Sequence, residues 1–346
     1  MQASEPVPST EDTLPPDLTA IMAELGDLYG VRVEQPKLLK GEFDVNVRFA
    51  DPTHGMLLAK VSADSLGEGM LRWQETVLEA AAASPEVTFP TPTILPALDG
   101  RGHVRIGEHL VRVVTWIPGR LWNENPSVDG AGAELLHSLG QASARLTLAL
   151  AAVEMPADLP GHDWMIERGP LVVGRALDRL EQDRGDLAGR ERGGQVSVVR
   201  DITEHFAERV LPRLGDLPRS VIHHDLHDAN VVLDETGTAV GGVIDFNDAV
   251  CAPRISDLAI SGAYAMLRRS DPETAFRAVV DGYRSVLEPE PAELEIVGEM
   301  ALMRLCMNWA QWQARAVDAA DSEYALQRSA HTWPLIAHLA EAGPPH

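Results

Sequence analysis

Two segments decide how this chain folds: Val221-Ile-His-His-Asp-Leu-His-Asp-Ala-Asn-Val-Val-Leu-Asp234 and Val243-Ile-Asp-Phe-Asn-Asp248. Two apolar runs, 230–233 and 242–244, flank a Thr-Gly turn and predict a β-hairpin. A preceding strand would then deliver the polar loop 223–228. We therefore expect three oxygen-bearing side chains to converge: Asp225, Asn230 and Asp245.

Length and charge already exclude some classes of protein. The chain has 346 residues, 45% of them hydrophobic, enough for one large domain or two lobes with cores of their own. It carries 52 Asp plus Glu against 29 Lys plus Arg, a net charge of −23. Such a field repels nucleic acid and anionic membranes, so we expect neither as a partner. It fits either a solvated acidic surface or a cationic small-molecule substrate.

Cysteines and the N-terminal sequence indicate the compartment. Cys251 and Cys306 have no metal-like spacing, which argues against a disulfide framework and fits a reducing cytosol. Residues 1–12 are acidic and Pro-rich, unlike a signal peptide, and the longest apolar run, Leu146–Val153, is too short to span a membrane. We therefore expect a soluble, cytoplasmic protein; the residues indicate no oligomeric state.

Hydrophobic periodicity divides the chain into a β-rich part and a helical part. Residues 1–16 predict a disordered tail, and 17–114 an N-terminal lobe of strands with a leading helix and a second helix at 67–83. A hinge at 115–119 joins it to a C-terminal lobe, 120–346, so the fold class is α+β. Helices are predicted in this lobe at about 129–153, 171–190, 197–214, 256–269, 273–287, 291–316 and 320–342.

The polar residues of the first lobe suit nucleotide phosphates. Phosphoryl transfer needs a cover for the phosphates, a cation on them, metal ligands and a carboxylate that orients the attacking hydroxyl. The polar turn Gly41–Asn46 can cover phosphates. Lys60, at a strand end, and Glu75, inside the apolar face of the next helix, can form an ion pair that aims the ammonium. A partly exposed Glu75 is the alternative, with Glu79 or Gln74 as its substitute.

The loop quoted above supplies the remaining parts. Asp225, with Asn230 five residues later, has the spacing of a kinase catalytic loop, in which the Asp accepts the hydroxyl proton and the Asn holds magnesium. Asp245 begins an Asp-Phe-Asn run in the place of Asp-Phe-Gly, and its carboxylate would bridge metal and phosphates. Hard oxygen ligands of this kind suit Mg²⁺.

These segments, together with Ser256-Asp-Leu-Ala-Ile260, resemble the signatures of the aminoglycoside phosphotransferase family, which shares a protein-kinase-like fold with choline kinases. The run Asp245–Leu267 is most similar to its hydroxylysine kinase branch. The resemblance implies a bilobal fold with a nucleotide-binding N-terminal lobe, and a kinase of a small amine-bearing alcohol. It also implies ATP or GTP as co-substrate, with the base bound by the backbone near Thr115, Trp116 and Ile117.

Two positions depart from the family pattern. His224 and Asn247 stand where Gly is common, which affects loop conformation and metal geometry. The gap between Asp245 and Asp257 holds about a dozen residues and no Ala-Pro-Glu, too little for a protein-kinase activation segment. A small-molecule acceptor is therefore expected, and hydroxylysine-like molecules, aminoglycosides, choline-like alcohols and homoserine all remain compatible.

Neighbouring residues receive more modest roles. His223 is expected to orient the loop, with direct catalysis the less favoured role, and Asp257 to cap a helix or brace the loop. Asp228 and Asp248 border the site and can bind a substrate ammonium, although solvated loop acids fit equally well. Two tryptophans are expected in the core rather than in a ligand cage: Trp309 and Trp312.

Two other functions remain open on the sequence. A metallohydrolase would use the dense cluster His223, His224, His227 and Asp228 as zinc or iron ligands, although the order of these residues is not a familiar zinc spacing. A catalytically silent nucleotide-binding module would keep the fold without turnover. The presence of Lys60 together with all three convergent acceptors favours the enzyme.

Overall fold

The structure is a computed structural model and describes residues 14–39, 41, 44–124, 132–182, 187–317 and 322–346. Most of the predicted tail and part of the predicted phosphate-covering turn lie outside these ranges. The chain forms two compact units: residues up to Ala83 with Thr91–Pro118, and Ser84–Pro90 with Gly119–His346. The segment 84–90, assigned by sequence to the first lobe, belongs to the second unit. There the carbonyl oxygen of Pro90 accepts a bond from Val243 N at 3.1 Å.

The first unit is built on an antiparallel sheet with strand order β1-β2-β3-β6-β4, and β5 also pairs with β6. Its elements are α1 (Pro16–Tyr29), β1 (Glu34–Leu39), β2 (Val45–Asp51), β3 (Gly55–Ala63), α2 (Glu68–Ala83), β4 (Ile94–Leu95), β5 (His103–Ile106) and β6 (His109–Thr115).

Helix α1 closes one side of this core. Its residues Ile21, Met22 and Leu25 are buried in one cluster with Val47 and Phe49 of β2. The helix ends at Gly30, as predicted, because Gly30 adopts φ 69° and returns its N–H to the carbonyl of Gly26 at 3.0 Å. A side chain with a Cβ would be strained there, so the residue type sets the boundary.

The second unit is mainly helical and carries two small β-ribbons. Strand β7 pairs with β10, and β8 pairs with β9, which is the predicted hairpin. Its elements are α3 (Ala133–Leu150), α4 (Gly169–Gln182), α5 (Leu187–Arg209), α6 (Leu211–Leu214), β7 (Arg219–Ile222), β8 (Val231–Leu233), β9 (Val240–Val243), β10 (Val250–Pro253), α7 (Ser256–Ala265), α8 (Pro272–Arg284), α9 (Pro291–Leu294), α10 (Val297–Val317), α11 (Ser322–Ser329) and α12 (Thr332–Ala342).

Helix α10 is the central helix of this unit, buried along most of its length. Trp309 and Trp312 are 1% and 3% exposed, so both belong to the core, as the sequence predicted. The predicted helices 197–214, 291–316 and 320–342 are each divided in two, and the predicted break between 190 and 197 is wrong because it lies inside α5. One division, between α5 and α6, falls just before Pro212, whose missing N–H cannot continue a helical ladder. None of the helices among the described residues combines the length and apolarity needed to cross a bilayer.

Candidate active site

The loop between β7 and β8, residues 223–230, is held by hydrogen bonds between its own residues, and we call it self-fastened for that reason. Asn230 donates from Nδ2 to the backbone oxygen of Asp225 at 2.9 Å and to its Oδ2 at 2.7 Å. The backbone N–H of Asn230 donates to the carbonyl of His227 at 2.9 Å. Both amide hydrogens of Asn230 are thereby used, so its Oδ1 is the atom left to accept a ligand.

Asp257, at the start of α7, braces the beginning of this loop. Its carboxylate accepts the backbone N–H of His223 at 2.9 Å and that of His224 at 2.7 Å. Burial raises the pKa of Asp257 to about 7, while the two backbone bonds oppose the rise. The predicted bracing role of Asp257 is confirmed. His224 adopts a left-handed backbone conformation here, with φ 67°, which glycine adopts more readily than other residues.

His223 orients the loop, as the sequence predicted. Its Nδ1 accepts the backbone N–H of Asp225 at 3.2 Å, and its Nε2 lies 3.1 Å from the carbonyl of Ile244. Because Nδ1 accepts, the proton of the neutral ring sits on Nε2 and bonds Ile244. Burial lowers the pKa of His223, which favours this neutral form. The ring therefore ties the loop to the end of β9.

The carboxylate of Asp225 sits between two cationic groups. Arg304 Nη2 lies 3.2 Å from its Oδ1, and His227 Nε2 lies 3.3 Å from its Oδ2. Burial alone would raise the pKa of Asp225, but the charges of His227 and Arg304 outweigh it and hold the pKa well below the usual range. The side chain is 22% exposed. It is thus an ionised carboxylate with one accessible side.

The residue that precedes the predicted metal ligand Asp245 is bonded to the backbone of Asn230. Ile244 N donates to the carbonyl of Asn230 at 3.0 Å, which fixes the neighbouring Asp245 near the loop. Asp245 is exposed and adopts φ 63°. An amide oxygen and a carboxylate suit Mg²⁺, which takes few protein ligands and fills its shell with phosphate oxygens and water. The residues present therefore fit that ion.

The two predicted substrate acids differ in their surroundings. The carboxylate of Asp228 is held by Arg268 Nη2 at 3.1 Å and by His227 Nδ1 at 3.4 Å. A substrate ammonium at Asp228 would compete with both. Asp248 is half-buried, and its backbone oxygen lies 3.1 Å from His162 Nε2.

The histidine cluster is not arranged around one centre. His223 and His227 each have the separate partners described above, whereas the ring of His224 packs edge-on against His162, with centroids 4.6 Å apart. Within the described ranges, no group of three or more His, Cys, Asp or Glu side chains has metal-holding geometry. Burial lowers the pKa of His224 well below its ordinary value. A shared zinc or iron site at this cluster gains no support.

In the first unit, strand register aligns a row of polar side chains across the sheet. Asn46 on β2 faces Lys60 on β3, Lys60 faces Arg112 on β6, and Arg112 faces His103 on β5. Lys60, Arg112 and His103 are all at most 8% exposed. The row therefore places three groups that can carry positive charge in a buried layer, which needs carboxylates for compensation.

Asp44 contributes a carboxylate to the centre of this row. Its Oδ2 lies 3.4 Å from Lys60 Nζ and 3.8 Å from Arg112 Nη2, and its Oδ1 accepts from Ser62 Oγ at 2.6 Å. The predicted partner of Lys60 was Glu75, not Asp44. Asp44 just precedes β2 and shares the face of Lys60, so register alone brings the two together.

Glu75 on α2 is paired at the other end of the row. His103 Nδ1 lies 2.8 Å from Glu75 Oε1, and both side chains are about one-tenth exposed. Gly102 makes room for this pair, since a Cβ there would lie 2.7 Å from Glu75 Cδ. The predicted Lys60–Glu75 ion pair is thus replaced in this structure by two pairs, Lys60–Asp44 and Glu75–His103.

In the segment 115–117, predicted to bind the nucleotide base, two backbone N–H groups already form hydrogen bonds within the protein. Thr115 N donates to Thr93 O at 2.9 Å, and Trp116 N donates to Met56 O at 3.0 Å. Among the described residues, no backbone bond is found from the N–H of Ile117. Arg48 lies over the Trp116 ring at 5.4 Å.

Several residues that build these sites escaped the sequence analysis. Arg304 contacts Asp225 although the two residues are 79 positions apart, and no motif spacing links them. One signal was present: Arg304 interrupts the otherwise apolar run Met300–Leu305 of α10, and a cation in such a run needs a buried partner. The others missed are Asp44, His103 and Arg112.

Comparison with solved structures identifies the fold. An amicoumacin kinase, solved in complex with AMP-PNP, Ca²⁺ and Ami, superposes with a TM-score of 0.64 at 15% identity. The match covers 96% of this chain and 95% of that chain. The fold is thus the kinase-like one that the sequence predicted, with a β-rich N-terminal unit and a helical C-terminal unit.

Comparison of sequences adds the family. The chain is 26% identical to a hydroxylysine kinase of Bos taurus over 241 residues, covering 64% of this chain and 60% of that protein, less than two thirds of its length. It is 24% identical to a hydroxylysine kinase of Danio rerio over 299 residues, covering 81% of this chain and 79% of that protein. Residues 37–296, most of the chain, match the family model APH, so this protein belongs to the phosphotransferase enzyme family.

Proposed function

We propose that the protein is a small-molecule kinase that transfers the γ-phosphoryl group of ATP or GTP to a hydroxyl of an amine-bearing substrate. The observation that carries the proposal is the pair Asp225–Asn230, joined at 2.7 Å within one self-fastened loop. One carboxylate is ionised and accessible, and one amide keeps its oxygen for a metal. Phosphoryl transfer needs both groups, and little other covalent chemistry from the protein.

Asp225 would act as the base. The acceptor hydroxyl donates its hydrogen bond to the carboxylate, its oxygen forms a bond to the γ-phosphorus, and the nucleoside diphosphate leaves. The hydroxyl proton passes to Asp225. Because the surrounding cations hold the pKa of Asp225 low, its main contribution would be to orient the hydroxyl, with proton transfer late in the reaction. His223 would serve by fixing the loop, not by touching the substrate.

Asn230 and Asp245 would hold Mg²⁺. When bound, this ion neutralises phosphate charge and orients the nucleotide. In the first unit, Lys60 would place its ammonium on the phosphates, and Asp44 would keep that ammonium oriented, as the 3.4 Å contact allows. Asn46 lies next to Lys60 in register and can contribute to the same phosphate site. Ile117 is the best candidate in the 115–117 segment to donate to the base.

The acceptor would be an amino alcohol or hydroxylated amino acid, with aminoglycosides as the other class. The net charge of −23 attracts cations, and the relatives named above are hydroxylysine kinases. Asp248 and, in competition with Arg268, Asp228 are the acids proposed to receive the ammonium. The separate bonding of His223, His224 and His227 leaves the metallohydrolase alternative without a supporting observation.

A nucleotide-consumption screen tests the proposal. Purified protein with Mg²⁺ and either ATP or GTP is offered a panel of amino alcohols, hydroxylated amino acids and aminoglycosides, and diphosphate release is followed. We expect acceptor-dependent release that falls by about 10³-fold in Asp225→Asn, because the base is lost. Nucleotide affinity should change little in that variant.

Asp216→Asn is the matched control, since Asp216 is an exposed carboxylate of the same unit and should leave turnover unchanged. Near-normal turnover in Asp225→Asn would contradict the assignment of the base. If no nucleotide shifts the melting temperature and no acceptor stimulates release, the protein is a silent module instead.

A further inference from the structure

A buried arginine stands directly behind the proposed base. Arg304 on α10 is 2% exposed, and its guanidinium lies between two aromatic rings, 4.8 Å from the Trp164 centroid and 5.8 Å from that of Tyr264. Rings at such distances attract the cation and restrict the guanidinium plane. Burying a guanidinium is costly unless it is paired, so its contacts decide what it does.

Two hydrogen bonds fix the remaining freedom of the group. Nη1 donates to the backbone oxygen of Trp164 at 3.0 Å, and Nη2 donates to Oδ1 of Asp225 at 3.2 Å. Nε is buried and has no hydrogen-bond partner within the described part of the chain. The position of the guanidinium thus leaves one of its N–H groups unbonded. The contacts that hold it are those with the two rings, the Trp164 carbonyl and Oδ1 of Asp225.

A count of lone pairs shows why this contact matters. A carboxylate offers about four acceptor positions, two on each oxygen. Oδ2 of Asp225 faces two donors, Asn230 Nδ2 at 2.7 Å and His227 Nε2 at 3.3 Å, whereas Arg304 is the one donor to Oδ1 among the described residues. The position left open is thus on Oδ1. Asp225 is 22% exposed but Arg304 only 2%, so the arginine lies on the closed side of the carboxylate and not on its open side.

We propose that Arg304 is a positioning residue that holds Oδ1 of Asp225 so that its free lone pair receives the acceptor hydroxyl. The inference rests on the proposed function and names the receiving atom within it. Arg304 itself does not touch the substrate. Misplacing a catalytic group by about 1 Å is enough to cost about 10²-fold in rate, which sets the expected size of the effect.

Two substitutions separate positioning from simple packing. Arg304→Met keeps an unbranched stem between the rings but removes the charge and both donors. Arg304→Lys keeps a charge and a donor for Oδ1. The control is Arg254→Met, which breaks a partly buried arginine pair of the same unit: Arg254 is 22% exposed and donates to the fully buried Glu293 at 2.8 and 2.9 Å. None of these contacts involves Asp225.

We expect kcat of Arg304→Met to fall by about 100-fold while acceptor KM and nucleotide Kd stay within about threefold, because orientation and not binding is lost. Arg304→Lys should recover at least about tenfold of that loss. Arg254→Met should have a lower urea concentration of half-unfolding than the wild type. In buffer without urea, where the variant is folded, its kcat should stay within about twofold of the wild-type value. The inference is overturned by near-normal kcat in Arg304→Met, by an equal loss in Arg254→Met, or by no recovery with lysine.

A urea-unfolding cycle gives a readout that needs no turnover. The midpoint shift caused by Arg304→Met should be clearly smaller in an Asp225→Asn background than in the wild type, since the two residues act as one pair. Equal shifts in both backgrounds would overturn the inference even if the enzyme is active. If the wild-type protein phosphorylates none of the tested acceptors, the proposed function is overturned. The contact between Arg304 and Asp225 is still tested by the urea cycle in that case.

Discussion

The two units hold their charged side chains by different means. In the second unit, residues 223–230 bond one another, so the positions of Asp225 and Asn230 follow from a few consecutive residues. In the first unit, Lys60 meets Asp44 only because two strands pair in one register. Contacts between neighbouring residues thus set the side-chain positions in the loop, whereas strand pairing sets them in the cross-strand cluster.

The largest effect is expected from Asn230→Ala. The variant loses both bonds to Asp225 and the proposed metal oxygen together, so turnover should fall by about 10³-fold and nucleotide affinity should weaken as well. Turnover and a Mg²⁺-dependent thermal shift with nucleotide measure the two losses. Asn230→Asp, which keeps an oxygen but cannot donate to Asp225, separates them: metal-dependent binding should persist in part while turnover stays low. Full turnover in either variant would contradict a self-fastened loop.

Asp44→Asn tests the cluster of the first unit. It retains an oxygen for Ser62 but removes the charge that compensates Lys60 and Arg112, both at most 8% exposed. Removing one partner of a buried ion pair costs about 3–5 kcal/mol, and some of that is recovered here by the remaining amide oxygen. We expect a loss of about 2–3 kcal/mol in the free energy of unfolding, measured in urea.

Ser62→Ala is the matched control for that variant, because it removes one hydrogen bond to Asp44 and keeps the charges of Asp44, Lys60 and Arg112. Its cost should be smaller than that of Asp44→Asn, about 1.5 kcal/mol, the low end for a hydrogen bond to a charged group. If both substitutions cost the same, the compensation of Lys60 and Arg112 by Asp44 is not what stabilises the row.

The same difference explains how far the sequence could predict the structure. The hairpin, the loop and the bracing Asp257 all lie within 221–257, where residue type and spacing determine the contacts. His103 and Glu75 are separated by 28 positions, and Arg304 and Asp225 by 79. Such pairs depend on strand register and helix packing, which a residue pattern does not encode. The Lys60–Glu75 prediction failed for that reason.

Asp51, at the end of β2, combines both kinds of contact inside the first unit, since Thr53 and His54 are near it in sequence and Arg32 is 19 positions away. Its carboxylate accepts the backbone N–H groups of Arg32, Thr53 and His54 at 2.6–2.9 Å. The bond from Arg32, opposed by burial and helped by those from His54 and Thr53, lowers the pKa of Asp51 from its ordinary value of 3.8 to about 2. The folded state therefore favours the ionised carboxylate.

Because the folded pKa lies below the unfolded one, this stabilisation is fully present above about pH 4 and is lost as the pH falls towards 2. We expect Asp51→Asn to lose about 1–2 kcal/mol of unfolding free energy at pH 6, and the gap to the wild type to narrow at pH 3. Urea titrations at the two pH values measure it. A gap that does not depend on pH would assign the effect to geometry and not to charge.

The smallest expected effect decides which partner Glu75 has. In urea, a double-mutant cycle of Glu75→Gln with His103→Gln should give a coupling of about 1 kcal/mol, because their atoms lie 2.8 Å apart and are largely buried. A cycle of Glu75→Gln with Lys60→Met should give at most about 0.3–0.5 kcal/mol, the value for residues that share no contact. A larger coupling to Lys60 would restore the pair predicted from the sequence. It would also mean that strand register constrains this cluster less than the contacts of Asp44 indicate. The coupling between Glu75 and Lys60 could also grow only when nucleotide and Mg²⁺ are present. In that case the Lys60 ammonium exchanges Asp44 for Glu75 when the nucleotide binds. The two units would then differ because the loop 223–230 is fixed whereas the charged cluster of the first unit changes partners.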